Sequence, residues 1–254
     1  MTRPSRARVR QSFERAAATY DQAAIVQRRI CDHLAATLPA AIDAQRILDA
    51  GCGTGYAHAL LQRSFPAAEL FALDLSTAML GRVTGNCRRL AGDLERLPLT
   101  DACVDLYWSS LAMQWCDAQQ VFSEARRVLR PGGRLAVSTL GPATFHELRT
   151  AFGGIDSHQH TLSFQCADDL RRQVELAGFA EVSLETRQET LCYPDLRSLL
   201  RAVKAVGANQ VGPGRRTGLM SPGTLRRLEA AYECQRQDDG IPLTYDIVFI
   251  HARS

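Results

Sequence analysis

The chain has 254 residues, 46% of them hydrophobic, and a formal net charge of +3 at pH 7. A chain of this length buries a large core and suits a single α/β domain. Its basic residues are interleaved with acids and form no recognisable nucleic-acid-binding motif, which argues against nucleic acid as a partner. No apolar run approaches the roughly 20 residues that span a bilayer, so we predict no membrane segment.

The eight cysteines are scattered along the chain, without a Cys-x-x-Cys pair and without a His/Cys cluster at metal-ligand spacing. This pattern favours reduced thiols in a cytoplasmic protein over disulfides or a zinc site. We therefore expect neither disulfides nor a bound metal.

Residues 1–39 are predicted to form a helical cap of two helices, broken near Tyr20. The opening stretch, residues 3–15, sets five arginines against the single acid Glu14, a composition shared by transit peptides and by solvated first helices. The second helix is predicted to be amphipathic, because apolar residues recur at helical intervals. These residues are Ile25, Ile30, Leu34 and Leu38.

A strand, a glycine-rich turn and a helix follow in direct succession from Ile47 to about Arg63. The strand is apolar enough to be buried on both faces of a parallel sheet. The turn has the spacing D-x-G-x-G-x-G, formed by Asp49, Gly51, Gly53 and Gly55. Glycines leave a backbone without Cβ atoms where a ligand approaches closely. A dinucleotide fingerprint would require a glycine where this chain has Tyr56, which argues against a nicotinamide-dependent oxidoreductase.

The acid at the end of this strand narrows the choice of nucleotide. Asp49 puts a carboxylate where it would repel a pyrophosphate but attract an ammonium or sulfonium group. Cys52, inside the turn, is interpreted as a small turn residue rather than a nucleophile, because the sequence places no histidine beside it. Together, the acid and the glycine turn resemble motif I of the class I S-adenosylmethionine (SAM)-dependent methyltransferases.

Two further acids end predicted strands downstream. Asp74 closes the strand that begins at Leu70, at a distance from the glycine turn where a carboxylate binds ribose hydroxyls. Asp93 follows the third strand, and the resemblance implies that it accepts from the adenine amino group while the backbone of Leu94 contacts the ring. The cofactor-binding residues implied in this way are Asp49, Gly51, Cys52, Gly53, Gly55, Asp74, Leu75, Asp93, Leu94 and Ser109.

The fold implied by the resemblance is α/β, a Rossmann-like and mostly parallel seven-stranded sheet with helices on both faces. The SAM-binding core spans residues 46–140 of one domain that covers the whole chain. Its fourth strand is predicted at 104–110, and a tight turn at 130–133 precedes the fifth strand because one proline and two glycines occur together.

Gln114 and Trp115 follow the fourth strand, at the topological switch point of the sheet. They are candidate catalytic residues near the transferred methyl group, although Trp115 is equally consistent with a core residue. A short sixth strand is predicted at 182–186 from its alternating pattern. A helical insertion over 190–241 precedes the last strand, 244–251, and is predicted to act as a lid.

Motifs outside the cofactor half narrow the assignment. They are the run Phe13–Asp21, the loop Leu111–Cys116, residues 138–141 with Glu147 and Leu148, the segment 203–215 and the ending Pro242–Tyr245. Together they resemble the malonyl-[acyl-carrier-protein] O-methyltransferases of biotin synthesis. The resemblance implies methyl transfer from SAM to the free carboxylate of a malonyl thioester, carried by acyl carrier protein or by coenzyme A, with S-adenosylhomocysteine as the second product.

A malonyl carboxylate needs no catalytic base, because a carboxyl group with a reference pKa of about 4 is already ionised at neutral pH. Catalysis would then rest on alignment of the reacting atoms and exclusion of water. We expect Tyr20 to close the methyl-transfer channel, with helix packing as its alternative role. Arg149, Lys204 and Arg215 are candidate clamps for the carboxylate, each equally consistent with a solvated surface cation.

An acidic carrier protein would dock on a basic face. The arginines available for such a face are Arg126, Arg127, Arg130, Arg171 and Arg172. The sequence alone does not place them on one surface.

Other functions remain open from the sequence. The same cofactor half serves methyltransferases that act on another small carboxylate, such as a trans-aconitate-like acid, or on carbon of a quinone precursor. A SAM-binding module without activity is a further alternative, since motif I indicates a cofactor-binding site but does not establish catalytic activity.

Overall fold

The computed structural model describes residues 3–39, 42–156, 158–207 and 220–254, which fold around one seven-stranded sheet. The strands are β1 (Arg46–Ala50), β2 (Glu69–Asp74), β3 (Arg88–Ala91), β4 (Val104–Ser110), β5 (Leu129–Leu140), β6 (Ala180–Tyr193) and β7 (Ile241–Arg253). Their order is β3-β2-β1-β4-β5-β7-β6. Only β7 runs antiparallel to its neighbours. The predicted fold is confirmed, and the order reverses between β1 and β4, where a crevice opens at the carboxyl ends of the strands.

The helices in the described ranges are α1 (Arg6–Ala16), α2 (Tyr20–Ala23), α3 (Ile25–Ala36), α4 (Tyr56–Ser64), α5 (Thr77–Leu80), α6 (Ala118–Val128), α7 (His146–Gly153), α8 (Ala167–Leu176), α9 (Leu196–Ala205) and α10 (Pro222–Glu233). A 3-10 turn, Met113–Trp115, follows β4. The N-terminal segment therefore holds three helices instead of the predicted two, because the chain breaks both before Tyr20 and at Ala24.

Helices cover both faces of the sheet. One apolar cluster joins the strands to α3, α4, α7, α9 and α10, and the other joins them to α6 and α8. Adjacent residues of β4 show the division, since Trp108 belongs to the first cluster and Tyr107 to the second, and both are fully buried. Strands buried on both faces explain why the central segments of the sequence are continuously apolar.

The sixth strand is much longer than the predicted 182–186. It pairs with β7 along its length, from Ala180 opposite Arg253 to Tyr193 opposite Ile241. As an edge strand it exposes most of its side chains, so its polar residues give no clear alternation. The predicted insertion 190–241 accordingly begins after Tyr193, and its helices α9 and α10 start at the caps Asp195 and Ser221, which accept from backbone amides three residues on.

The predicted turn at 130–133 is instead part of β5. Val104 pairs with Leu129 and Leu106 with Arg134, so the extra residues form a bulge in the ladder. Gly132 supplies a positive φ of 82° there, and its amide donates to the carbonyl of Ser254 at 2.9 Å. The Pro-Gly-Gly sequence thus bends a strand without ending it.

In the ranges that the structure describes, no helix combines the length and the apolar character needed to cross a membrane. The same ranges contain no group of three or more His, Cys, Asp or Glu side chains placed to hold a metal ion. All eight cysteines are free thiols.

Candidate active site

The glycine turn after β1 forms the floor of the site. The amides of Gly51 and Cys52 both donate to the carbonyl of Leu73, at 2.7 and 3.0 Å, which ties the turn to β2. A Cβ on Gly51 would lie 2.2 Å from the Ala112 Cβ, whereas one on Gly53 would meet nothing within 4 Å. Gly51 is therefore needed for packing, and the backbone at Gly53 is open to a ligand.

Asp74 lies directly beside this turn. Its carboxylate accepts from the amides of Gly53, at 3.0 Å, and Ser76, at 2.7 Å. Burial raises the pKa of Asp74 to about 6, against the opposing effect of these backbone hydrogen bonds. A carboxylate offers about four acceptor positions, so two remain for the hydroxyls of a ribose.

A second buried acid lies beneath the turn. Asp49 is 2% exposed, and its Oδ2 lies 3.3 Å from Nε2 of His58 on α4. The contact lacks hydrogen-bond geometry, so this oxygen and both imidazole nitrogens have no hydrogen-bond partner. Buried polar atoms without a partner call for a group that completes them, and a cationic amino acid fits this carboxylate.

The helix α1 covers the site from above. Arg6 forms ion pairs with Asp93 and Glu95, and Arg3 contacts Asp117 at 3.0 Å. Arg6, Val9 and Phe13 of α1 line a cavity of about 80 Å³ that lies between the glycine turn and the cap. Small-molecule sites typically measure about 300–1,000 Å³, so α1 must shift for a nucleoside to enter beside Asp93.

Most of the predicted cofactor residues converge on this cavity. Gly51, Gly53, Asp74, Leu75, Asp93 and Leu94 line it. Asp49, Cys52, Gly55 and Ser109 do not line it. The Ser109 hydroxyl is fully buried and donates to the carbonyl of Ala50 at 2.7 Å, while the neighbouring Ser110 faces the cavity. Burial raises the pKa of the Cys52 thiol well above its usual value, in agreement with its interpretation as a turn residue.

A second cavity, of about 260 Å³, shares a wall with the first. The residues common to both are Phe13, Tyr20, Leu111 and Trp115. The Phe13 ring packs edge-on against Trp115, with centroids 5.8 Å apart. Burial raises the pKa of Tyr20, so its phenol stays protonated as a donor, and the indole nitrogen of Trp115 has no partner. The predicted catalytic residues Tyr20, Gln114 and Trp115 all line this second cavity.

The candidate clamps lie elsewhere. Arg149 lines a wider groove of about 630 Å³ that adjoins the second cavity, and its guanidinium donates to the carbonyls of Thr144 and Pro142. Desolvation lowers its pKa. Lys204 is exposed on α9 and does not line the second cavity. Arg215 lies outside the described residues.

Sequence reasoning missed a histidine at the junction of the second cavity and the groove. His160 lines both, and its Nε2 lies 2.7 Å from Oδ1 of Asp156. Its ring stacks on Phe152, with centroids 3.4 Å apart and planes 7° from parallel. The only signal in the sequence was an acid and a histidine four residues apart, in a segment without periodicity.

Comparisons with known proteins agree with this geometry. The profile of a family described as "Methyltransferase domain" matches residues 48–137, the part that contains the glycine turn and Asp74. A malonyl-[acyl-carrier protein] O-methyltransferase of Dechloromonas aromatica is 57% identical over 252 residues, covering 99% of this chain and 96% of that protein. The chain belongs to this family. A family member from Laribacter hongkongensis is 42% identical, over 97% of this chain and 89% of its own length.

Solved structures show the same fold at low sequence identity. The YcgJ protein of Bacillus subtilis aligns with a TM-score of 0.62 at 14% identity, over 89% of this chain and 98% of its own. A [4+2]-cyclase, SpnF, aligns with a TM-score of 0.55 at 21% identity, over 89% and 81%. The fold alone therefore does not fix the reaction.

SAM is the cofactor of this family, and the residues of the first cavity fit it. Asp74 has free acceptor positions for ribose, and the turn leaves its backbone open at Gly53. Asp49 has an oxygen without a hydrogen bond but does not line the cavity. When bound, SAM would supply an electrophilic methyl group on a sulfonium. The cavity of about 80 Å³ would have to widen through a shift of α1.

Proposed function

We propose that this chain transfers a methyl group from SAM to the free carboxylate of a malonyl thioester held by acyl carrier protein. The observation that carries the proposal is the composition of the second cavity. None of its described lining residues is an aspartate or a glutamate, and its polar groups include the donors Tyr20 and Trp115. An anion enters such a cavity without like-charge repulsion, directly beside the cofactor site.

The residues of the second cavity orient the substrate carboxylate and exclude water. Tyr20 donates from a buried phenol, Trp115 offers a free indole N–H, and both lie on the wall shared with the cofactor cavity. The apolar side chains of Phe145, Leu148 and Leu200 exclude water from the opposite side. Since the substrate carboxylate is already ionised, no residue has to remove a proton.

The wide groove gives the thioester arm a route from the surface. It shares Gln114, Phe152 and His160 with the second cavity, so an extended arm in the groove can deliver its carboxylate inward. The cap and the insertion contact each other, since the Ser12 hydroxyl donates to the carbonyl of Gly207 at 3.3 Å. This contact supports a lid formed jointly by the insertion and residues 3–39.

The predicted docking arginines carry less free charge than the sequence suggested. Four are ion-paired with acids of the same region: Arg127 with Asp101 and Glu124, Arg130 with Asp105, Arg171 with Glu175, and Arg172 with Asp169. An acidic carrier protein would have to compete with these acids. Raising the salt concentration is still expected to weaken binding, because exposed charges are screened.

The test is methyl transfer from labelled SAM to malonyl-acyl carrier protein, in parallel with the acetyl and succinyl forms and with malonyl-coenzyme A. A base-labile methyl ester on the malonyl form, with none on the acetyl form, is the expected result. Absence of transfer to any malonyl thioester by a chain that binds SAM tightly would overturn the proposal.

A further inference from the structure

The second cavity has one described side chain able to carry a positive charge. Its polar lining consists of phenols, amides, a hydroxyl, an indole and His160, without lysine or arginine. A carboxylate that leaves water for such a cavity loses its hydration, and this cost is offset only by strong hydrogen bonds or an opposite charge. Among the described residues that line the second cavity, His160 is therefore the candidate for offsetting the charge of a carboxylate.

His160 lies beside an ionised acid. Its side chain is 13% exposed, and the Asp156 carboxylate beside it is 17% exposed. Since a carboxylate only accepts, the 2.7 Å contact places a proton on Nε2. Hydrogen bonds from His160 and from the amide of His158 outweigh a desolvation penalty and hold the pKa of Asp156 below its usual value. Asp156 therefore stays ionised and stabilises a positive charge on the imidazole.

The geometry points to His160, held in place by Asp156, as the residue that binds the carboxylate of the substrate. This assignment rests on the proposed function and names the group that selects malonyl over acetyl thioesters. Stacking on Phe152 fixes the plane of the ring. With Nε2 bound to Asp156, a proton on Nδ1 would donate to a carboxylate oxygen of the substrate, and Asp156 acts as a positioning residue.

The position of His160 also suits the route of the arm. Because His160 lines both the groove and the second cavity, a carboxylate meets it before reaching the wall of Tyr20 and Trp115. A carboxylate has two oxygens, so one can stay on His160 while the other is methylated. The clamp is thus built from the segment between α7 and α8.

The experiment compares His160→Gln and Asp156→Asn with a matched control, His146→Gln. His146 is exposed on α7 and lines neither the groove nor the second cavity. Binding of malonyl- and acetyl-acyl carrier protein is measured by calorimetry on enzyme loaded with S-adenosylhomocysteine, alongside KM and kcat for malonyl transfer. We expect His160→Gln to weaken malonyl binding and raise KM by roughly tenfold or more, since a charged hydrogen bond is lost. Acetyl binding should remain as in the wild type, and the His146→Gln enzyme should behave as the wild type towards both ligands.

Asp156→Asn should reproduce part of the loss, and Asp156→Glu should restore part of it. Equal melting temperatures and equal SAM affinity identify variants that are folded. If folded His160→Gln keeps the wild-type preference for malonyl over acetyl, or loses both ligands equally, the assignment is wrong while the proposed function stands. If Arg215→Gln alone removes the preference, the clamp is Arg215. Absence of methyl transfer by the wild-type enzyme would overturn the assignment and the proposed function together.

Discussion

Lowering the pH from about 8 to about 5 is expected to weaken SAM binding through a single group, Asp74. Its pKa in the free protein is raised to about 6 by burial, so the carboxylate is ionised above that value and protonated below it. Only the ionised form accepts from two ribose hydroxyls while keeping its bonds to Gly53 and Ser76. Affinity should therefore be highest above pH 6 and fall as the pH drops.

The size of the effect follows from the titration. One pH unit below the pKa, about one carboxylate in ten is ionised, so the apparent Kd for SAM should rise roughly tenfold between pH 7 and pH 5. An ordinary aspartate, with a pKa of about 3.9, would leave affinity nearly constant over that range. Calorimetric titrations at constant ionic strength, with melting curves to verify folding at each pH, measure the difference.

Asp74→Asn is the matched variant. It should bind SAM more weakly at pH 8 and lose the dependence below pH 7, because the titrating group is gone. A wild-type affinity that is flat from pH 7 to pH 5, or an asparagine variant with the same slope as the wild type, would refute the argument.

Three further changes test the cap, the shared wall and the fold. Arg6→Ala removes the ion pairs to Asp93 and Glu95, which contribute about 0.2–1 kcal/mol each, and should speed SAM association by roughly fivefold in stopped-flow measurements. Arg10→Ala, which removes an ion pair within α1, is the control. An unchanged association rate in the Arg6 variant would show that the pairs do not restrain the cap. Tyr20→Phe should lower kcat for methyl transfer by roughly tenfold without changing SAM affinity, and wild-type turnover would show that the hydroxyl is dispensable. Glu147→Ala should reduce the free energy of unfolding, measured in urea, by about 3 kcal/mol. The reason is that the buried Glu147 carboxylate accepts from the amide and the hydroxyl of Thr244. A loss below about 1 kcal/mol would contradict that role.

The cofactor half was predictable because short, contiguous sequence motifs specify its strands and its glycine turn. Asp49 and Asp74 lie at the carboxyl ends of apolar strands and Gly51 follows the first of them, and parallel strands bring these ends to one edge of the sheet. The pairing of Asp74 with the amide of Gly53 then follows from two strand ends that lie side by side. The resemblance to a family supplied the identity of the nucleotide.

The rest depended on contacts that no local pattern encodes. The β6 edge strand is polar because one side faces solvent, so its extent was underestimated. Arg6 reaches Asp93 across 87 positions of the chain, and a single arginine in a basic stretch gives no sign of it. The position of the His160 ring depends on its stacking on Phe152 of α7, a contact that no local sequence pattern predicts.

The wall shared by the two cavities links the two ligands energetically. Phe13 and Tyr20 belong to the cap, and both line the first cavity, proposed for the cofactor, and the second cavity, proposed for the substrate. Any ligand that moves them changes the free energy of the opposite site, and the coupling is the same in both directions. The factor by which a bound thioester alters the affinity for S-adenosylhomocysteine must equal the factor by which S-adenosylhomocysteine alters the affinity for the thioester. With the two ligands placed as proposed, the strength of product inhibition would depend on the aromatic wall as well as on the nucleotide site.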